Sequence, residues 1–394
     1  MSSKIVTLNG NLAIAEAIRQ INPDVVAAYP ITPSTSIVEA VAQYVADGVI
    51  DSEFVCPESE HSAMSVCIGA AAAGGRVTTA TASQGLALMW EMLYIAAGLR
   101  LPIVAAIVNR SLSAPINIHG DHSDTMGARD SGWIQIYSEN AQEAYDNFIQ
   151  AFKIAEHPDV RTPVMVTFDG FIISHSLETM RIEDDEEVKE FVGEYFPIYP
   201  LLDTETPITA GPIDFTDFYF EHKRSQLEGI ENAPKVIEEV GKEFGKRFGR
   251  AYGFFEEYKM EDAEVAILLM SSAAGTAKET VDELREKGKK VGLIKLRVFR
   301  PFPAQKLAES LAKVKAVAVL DRATSPGAQG APLFIETRSA LFDYPKRPKI
   351  INYIYGLGGR DITPQHFHEV YAELERIVHT GKVEQYYGYI NLRE

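Results

Sequence analysis

The stretch DVVAAYPITPSTSIVEAVAQYVADG, residues 24–48, decides the fold. It opens with a short apolar run that reads as a buried strand (24–30) and passes through the proline-punctuated turn AYPITPSTSI (28–37). Apolar residues at helical spacing follow over 33–48, with Ser and Thr as cap candidates and Gly48 at the stop. A strand, a polar turn and a helix in immediate succession are the unit of an open α/β sheet. Such sheets bind ligands at the carboxyl ends of their strands.

The same alternation extends outward. SEFVCP (52–57) reads as a strand, and 59–75 as a helix dense in small residues and so deeply buried. RVTTATAS (76–83) is a strand, 84–100 one long apolar helix, and LPIVAAIV (101–108) and RTPVMVTFDG (161–170) are further strands. This pattern predicts a mostly parallel sheet with helices on both faces. From 176 to 260 acidic and aromatic residues and prolines dominate, and 218–249 reads as a long amphipathic helix in a surface-wrapping connector. A second α/β unit follows. It has strands at 264–272, 291–303, 315–323 and 351–359 and helices after 272 and over 304–314. The expected division is therefore 1–175, 176–260 and 261–394. Gly356-Leu-Gly-Gly359 lacks the spacing of a dinucleotide fingerprint.

The composition, 46% apolar and 24% charged over 394 residues, is that of a globular chain with a sizeable core. A net charge of −17 argues against nucleic acid, because phosphate binding needs a basic face. No apolar run approaches the roughly 18–20 residues that span a membrane. The opening MSSKIVTLNG lacks the apolar core of a secretory signal, so the expected location is the cytoplasm. Cys56 and Cys67 are the only cysteines, too few for an iron–sulfur cluster, and both are expected to be small buried hydrophobes.

Three segments and one further turn carry the candidate chemistry. In PESEHSAM (57–64), Glu60 either serves a cofactor or belongs with Glu58 and Asp51 to an acidic helix start favoured by the helix dipole. In VNRSLSAPINIHGDHSD (108–124), Arg110 either grips a carboxylate with a bidentate fork or pairs with Asp121, Asp124 or Asp130. His119 and His122, alternating with Asp121 and Asp124, read as a polar loop rather than metal ligands. Thr32 can donate its hydroxyl to a substrate or cap the following helix, with Pro33 at the first helical position. Ser83-Gln84-Gly85 is either a cofactor contact or a plain turn. No Gly-Asp-Gly segment with a downstream Asn pair is present.

The chain resembles the alpha subunits of pyruvate:ferredoxin oxidoreductases, within the 2-oxoacid:ferredoxin oxidoreductase family. The likeness runs in order through YPITPSTS, ESEHSAMS, TATASQGLALM, NRSLSAPINIHGDHSD, RDSGWIQ, FDGFIISH, FRPFP, LDRA and YGLGGRD, over nearly the full length. It implies a thiamine diphosphate-binding fold, with a pyrimidine-binding domain followed by a transketolase C-terminal-like domain. It implies that Glu60 meets N1′ of the aminopyrimidine, that Pro30, Ile31, Ser83 and Gln84 line the cofactor, and that Thr32 and Arg110 take the substrate carboxylate. It further implies beta, gamma and delta partner subunits carrying Mg2+ and the [4Fe-4S] clusters, CoA-dependent oxidation of pyruvate to acetyl-CoA and CO2, and ferredoxin as electron acceptor. The related alternatives are a subunit for 2-oxoisovalerate, 2-oxoglutarate or oxalate, and a non-catalytic scaffold.

Overall fold

The computed structural model describes residues 3–393. In chain order the first part holds β1 (Lys4–Leu8), α1 (Gly10–Ile21), β2 (Val25–Ala27), α2 (Thr35–Ala46), β3 (Glu53–Val55), α3 (Glu60–Ala73), β4 (Val77–Thr81), α4 (Ser83–Leu88), α5 (Trp90–Gly98), β5 (Val104–Asn109), α6 (Ser123–Gly127), β6 (Ile134–Tyr137), α7 (Ala141–Glu156) and β7 (Val164–Asp169). Next come β8 (Glu178–Ile182), α8 (Asp185–Val192), α9 (Tyr219–Phe248) and β9 (Phe255–Tyr258). The last part holds β10 (Val265–Met270), α10 (Ala273–Glu286), β11 (Val291–Leu296), β12 (Val298–Arg300), α11 (Ala304–Leu311), β13 (Ala316–Asp321), α12 (Pro332–Phe342), β14 (Lys349–Ile354), α13 (Pro364–Thr380) and β15 (Tyr387–Tyr389).

Two large sheets result. The first has seven strands in the order β12-β6-β7-β5-β4-β2-β3, all parallel except the edge pair β12–β6. The second has six, β15-β14-β13-β10-β11-β9, with β9 the antiparallel edge. Alternate residues of β5 feed opposite faces: Val104, Ala106 and Val108 pack with α1, α7 and α9, while Ala105 and Ile107 pack with α3 and α5. In β10, Ala266, Leu268 and Met270 face one core, and Val265, Ile267 and Leu269 face the other. Both sheets are therefore covered on two sides, as parallel strands require. In the first sheet the chain steps from β2 out to β3 and back across to β4, so a topological switch point lies between β2 and β4.

Several local expectations change. The helix expected over 84–100 is two that meet at Met89, where a ψ of −1° departs from the roughly −42° of a regular α-helix and interrupts its hydrogen-bond ladder. The strand expected over 291–303 divides between the two sheets, β11 joining the second and β12 the first. The side chain between them, Arg297, is buried and donates to Asn147 (2.7 Å), Gln150 (3.2 Å) and the Gly253 carbonyl (3.0 Å). Helix α3 is buried only along the Ala63, Met64, Cys67, Ala71 face, and Gly69 is exposed. Cys67 is buried as expected, whereas Cys56 at the end of β3 is exposed. The stretch 194–218 forms turns without regular elements and leaves Phe196, Leu202, Ile213 and Phe215 exposed.

Candidate functional site

The segments singled out from the sequence leave the sheet at its carboxyl edge. Residues 28–34 follow β2, Glu60 opens the helix after β3, Ser83–Gly85 follow β4, and Arg110 follows β5. The switch point thus lies between the Thr32 turn and the Ser83–Gly85 turn.

Glu60 is buried, with 7% of its surface exposed. It does not cap its helix: Ser59 does so by accepting the Ser62 N–H at 3.2 Å, and Ser62 donates to Glu58. Glu58 and Asp51 are more exposed than Glu60, so the three acids do not form one solvated helix start. No described residue donates a hydrogen bond to the Glu60 carboxylate, which lies against the backbone of Gly85. A Cβ on Gly85 would stand 2.8 Å from Glu60 Oε1 and 2.4 Å from Thr81 Oγ1, so glycine alone leaves this space open. Thr81 Oγ1 is itself buried without a partner among the described residues.

Arg110 is likewise buried, with 6% exposed. Its Nη1 donates to the Thr32 carbonyl at 2.9 Å and its Nε to the Asn117 carbonyl at 3.0 Å. Burial shifts the guanidinium below its ordinary pKa. The alternative that pairs Arg110 with an acid fails, because the side chain bonds to none of Asp121, Asp124 and Asp130. Its acidic contact is through the backbone, the Arg110 N–H donating to Asp124 Oδ2 at 3.0 Å. Thr32 is exposed and does not cap α2; Ser34 Oγ donates instead to the Ile31 carbonyl at 2.8 Å, and the helix starts at Thr35. Pro30 is exposed and Ile31 half-buried on the same turn.

Asp124 organises the floor and was absent from the candidate site residues. It accepts Ser83 N (3.0 Å), Arg110 N (3.0 Å), Asn109 Nδ2 (2.8 Å) and Thr125 N (2.7 Å). Burial pushes its carboxyl up to about 6, against the pull of these donors. The turn after β4 is strained at Ser83, whose φ is 45°. Ser83 Oγ donates to the Ser111 carbonyl at 2.6 Å, and Gln84 Nε2 donates to Ser113 Oγ at 2.8 Å. Both side chains thus tie their turn to the Arg110 loop.

The polar-loop reading fits His119, which is exposed, but not His122, Asp121 and Asp124, which are buried. His122 Nε2 lies 2.8 Å from Asp169, which also meets Arg322 Nη1 at 2.9 Å and Ser272 from the second unit. Burial acts to raise Asp169, but Arg322 and His122 outweigh it and hold the carboxyl well below the usual range. No group of three or more His, Cys, Asp or Glu among the described residues is arranged to hold a metal ion.

Comparisons with known proteins accord with this arrangement. Residues 16–242 match the family described as pyruvate flavodoxin/ferredoxin oxidoreductase, thiamine diP-bdg. Residues 263–367 match pyruvate:ferredoxin oxidoreductase core domain II. The chain is 56% identical over 389 residues to pyruvate synthase subunit PorA of Thermotoga maritima, covering 99% of this chain and 98% of that one. It is 45% identical over 387 residues to ketoisovalerate oxidoreductase subunit VorA of Pyrococcus abyssi, covering 98% and 97%. The fold is similar to a solved 2-oxoglutarate:ferredoxin oxidoreductase from Magnetococcus marinus, with TM-score 0.73 and 20% identity over 94% of this chain and 65% of that longer one.

Proposed function

The chain belongs to the pyruvate flavodoxin/ferredoxin oxidoreductase family, and from that membership we propose that it is the alpha-type subunit of a multi-subunit pyruvate synthase. The assembled enzyme oxidises pyruvate with CoA to acetyl-CoA and CO2, passes the electron pair to ferredoxin, and runs in reverse as a synthase. The observation that carries this reading is the juxtaposition at one sheet edge of a buried carboxylate without a donor and a buried guanidinium with one nitrogen uncommitted.

The residues present fit the aminopyrimidine end of thiamine diphosphate. When bound, that cofactor supplies the carbon nucleophile for the 2-oxo group. Glu60 holds a proton at N1′, a role a buried carboxylate with no competing donor suits. Gly85 leaves room for the ring beside it. Arg110 and Thr32 orient the substrate carboxylate, the guanidinium by charge-assisted hydrogen bonds and the threonine by its hydroxyl. Pro30, Ile31, Ser83 and Gln84 shape the adjoining walls, with Ser83 and Gln84 acting through the Arg110 loop.

The diphosphate, its Mg2+ and the [4Fe-4S] clusters belong on this reading to beta, gamma and delta partners in the cytoplasm. The absence of a Gly-Asp-Gly signature and the presence of only two cysteines support that division. No described helix is long and apolar enough to cross a membrane. The apolar side chains exposed over 194–218 fit burial against partner subunits. A second substrate reading, a branched 2-oxo acid, is raised by the 45% identity to the ketoisovalerate subunit, which is below the 56% to the pyruvate synthase subunit. Ferredoxin-linked turnover of the assembled enzyme with pyruvate, 2-oxoisovalerate and 2-oxoglutarate tests both. The largest kcat/KM with pyruvate is expected; a larger value with 2-oxoisovalerate selects the second reading, and no turnover with any of them leaves a scaffold.

A further inference from the structure

The glycine turn of the second unit, residues 356–359, reaches into the loop that carries Arg110. Gly358 accepts from Asn117 Nδ2 at its carbonyl (3.1 Å) and donates its N–H to Asp121 Oδ2 (3.1 Å). Asn117 is the residue whose backbone carbonyl accepts Arg110 Nε. Asp121 in turn accepts Ser111 Oγ at 2.7 Å, and the Asn117 side-chain oxygen accepts the His119 N–H at 2.7 Å. A continuous chain of hydrogen bonds therefore runs from the second sheet, through one asparagine, to the guanidinium.

Only glycine fits at the contact. Gly358 has φ +62°, and a Cβ there would lie 2.4 Å from Asn117 Nδ2. Gln84 and Ser83 hold the start of the loop at Ser113 and Ser111, but beyond them Ala114, Pro115, Ile116 and Ile118 are all exposed, and Gly358 holds Asn117 from the other side. A guanidinium recognises a carboxylate through two parallel hydrogen bonds, which demands a fixed plane. Two carbonyls set that plane, Thr32 on one side and Asn117 on the other, and the second depends on the 356–359 turn.

We infer that the 356–359 turn, acting through Asn117, is the positioning element that sets the plane of Arg110, so that the second unit tunes affinity for the substrate carboxylate. This rests on the reading of Arg110 as the carboxylate ligand. The test uses the assembled enzyme with Asn117→Ala, Gly358→Ala, Arg110→Lys and the double variant Asn117→Ala/Arg110→Lys. KM for pyruvate, kcat, thiamine diphosphate affinity and thermal unfolding are measured for each. Asn117→Ala and Gly358→Ala should raise KM about tenfold while kcat and cofactor affinity stay within about twofold, and the double variant should be little worse than Arg110→Lys alone. If Gly358→Ala fails to assemble, Asn117→Ala decides, since it removes the side chain that meets Gly358 and His119 and keeps the backbone carbonyl that accepts Arg110 Nε. Raised KM in Arg110→Lys with Asn117→Ala unchanged overturns the positioning role and leaves the Arg110 reading intact. Full additivity in the double variant also overturns it. An unchanged KM in Arg110→Lys overturns the reading beneath it.

Discussion

Arg110 Nη1 lies 2.9 Å from the carbonyl oxygen of Thr32, 78 positions earlier in the chain. The contact joins the ends of two parallel strands, β2 and β5, across the intervening β4. It also commits one guanidinium nitrogen to the protein, while Nε is committed to Asn117. Nη2 has no partner among the described residues, and neither has the Thr32 hydroxyl. Both remain available to a carboxylate arriving at the sheet edge.

Arg110→Lys keeps the charge and loses the planar fork. Steady-state kinetics of the assembled enzyme should show pyruvate kcat/KM falling by at least roughly tenfold, since hydrogen bonds to charged groups contribute about 1.5–3 kcal/mol each. Thr32→Val removes one hydroxyl and should cost less. Thiamine diphosphate titration should be unaltered in both. Loss of cofactor binding instead of substrate binding would show that Arg110 supports the cofactor site.

Glu60→Gln preserves the shape of the buried side chain and removes its charge. The variant should assemble and bind cofactor, yet turn over about a hundredfold or more slowly, the scale of a lost acid–base group. Exchange of the thiamine C2 proton, followed by NMR on the assembled enzyme, reports the step directly. Exchange at the unmutated rate would return Glu60 to the status of a helix-start acid.

Gly85→Ala places a methyl between Glu60 and Thr81. Overpacking of a closed site costs about 1–3 kcal/mol, so thiamine diphosphate affinity should drop by roughly five- to a hundredfold. Because the atoms nearest the inserted group belong to Thr81 and Glu60, pyruvate KM at saturating cofactor should move little. Equal damage to both constants would place the two ligands closer together than proposed.

Asp169→Asn should destabilise the chain by about 3–5 kcal/mol at neutral pH, because Arg322 stays buried without its counter-charge. The sign follows from the depressed native carboxyl: the unfolded residue titrates near 3.9, so the native contribution is complete above that pH and is lost progressively as pH falls below it. Thermal unfolding at pH 7 and at pH 3 should therefore show the gap between parent and variant narrowing in acid. A gap independent of pH would mean that the pair with Arg322 and His122 contributes little.

Much of the fold was legible because strands such as β5, β10 and β13 are mainly apolar runs and several helices stop at or near glycines. Gly48, Gly74 and Gly288 each follow a helix with positive φ, as the sequence suggests. Met89 was not legible as a break, because nothing in QGLALMWEML distinguishes it from helix interior. Of the site, the Thr32, Glu60 and Arg110 segments could be read from polar residues closing apolar runs. Asp124 was legible only as a possible partner of Arg110; its organising role was not, since the backbone N–H groups of Ser83 and Arg110 meet it only in the fold. Asn117 and Gly358 were hidden for a different reason: they meet across 241 positions, beyond any local pattern.

The division of residues 291–300 between two sheets has a consequence for how the chain can be cut. β12 covers the otherwise bare outer edge of β6, yet it is encoded downstream of three strands of the other sheet. A fragment ending near residue 261, where the family matches invite a boundary, would present β6 as an open edge ready to pair with a neighbouring molecule. The two sheets are therefore expected to melt in one transition and to resist separate expression. Any engineered chimera should carry residues 291–303 with both halves, or exchange the whole chain.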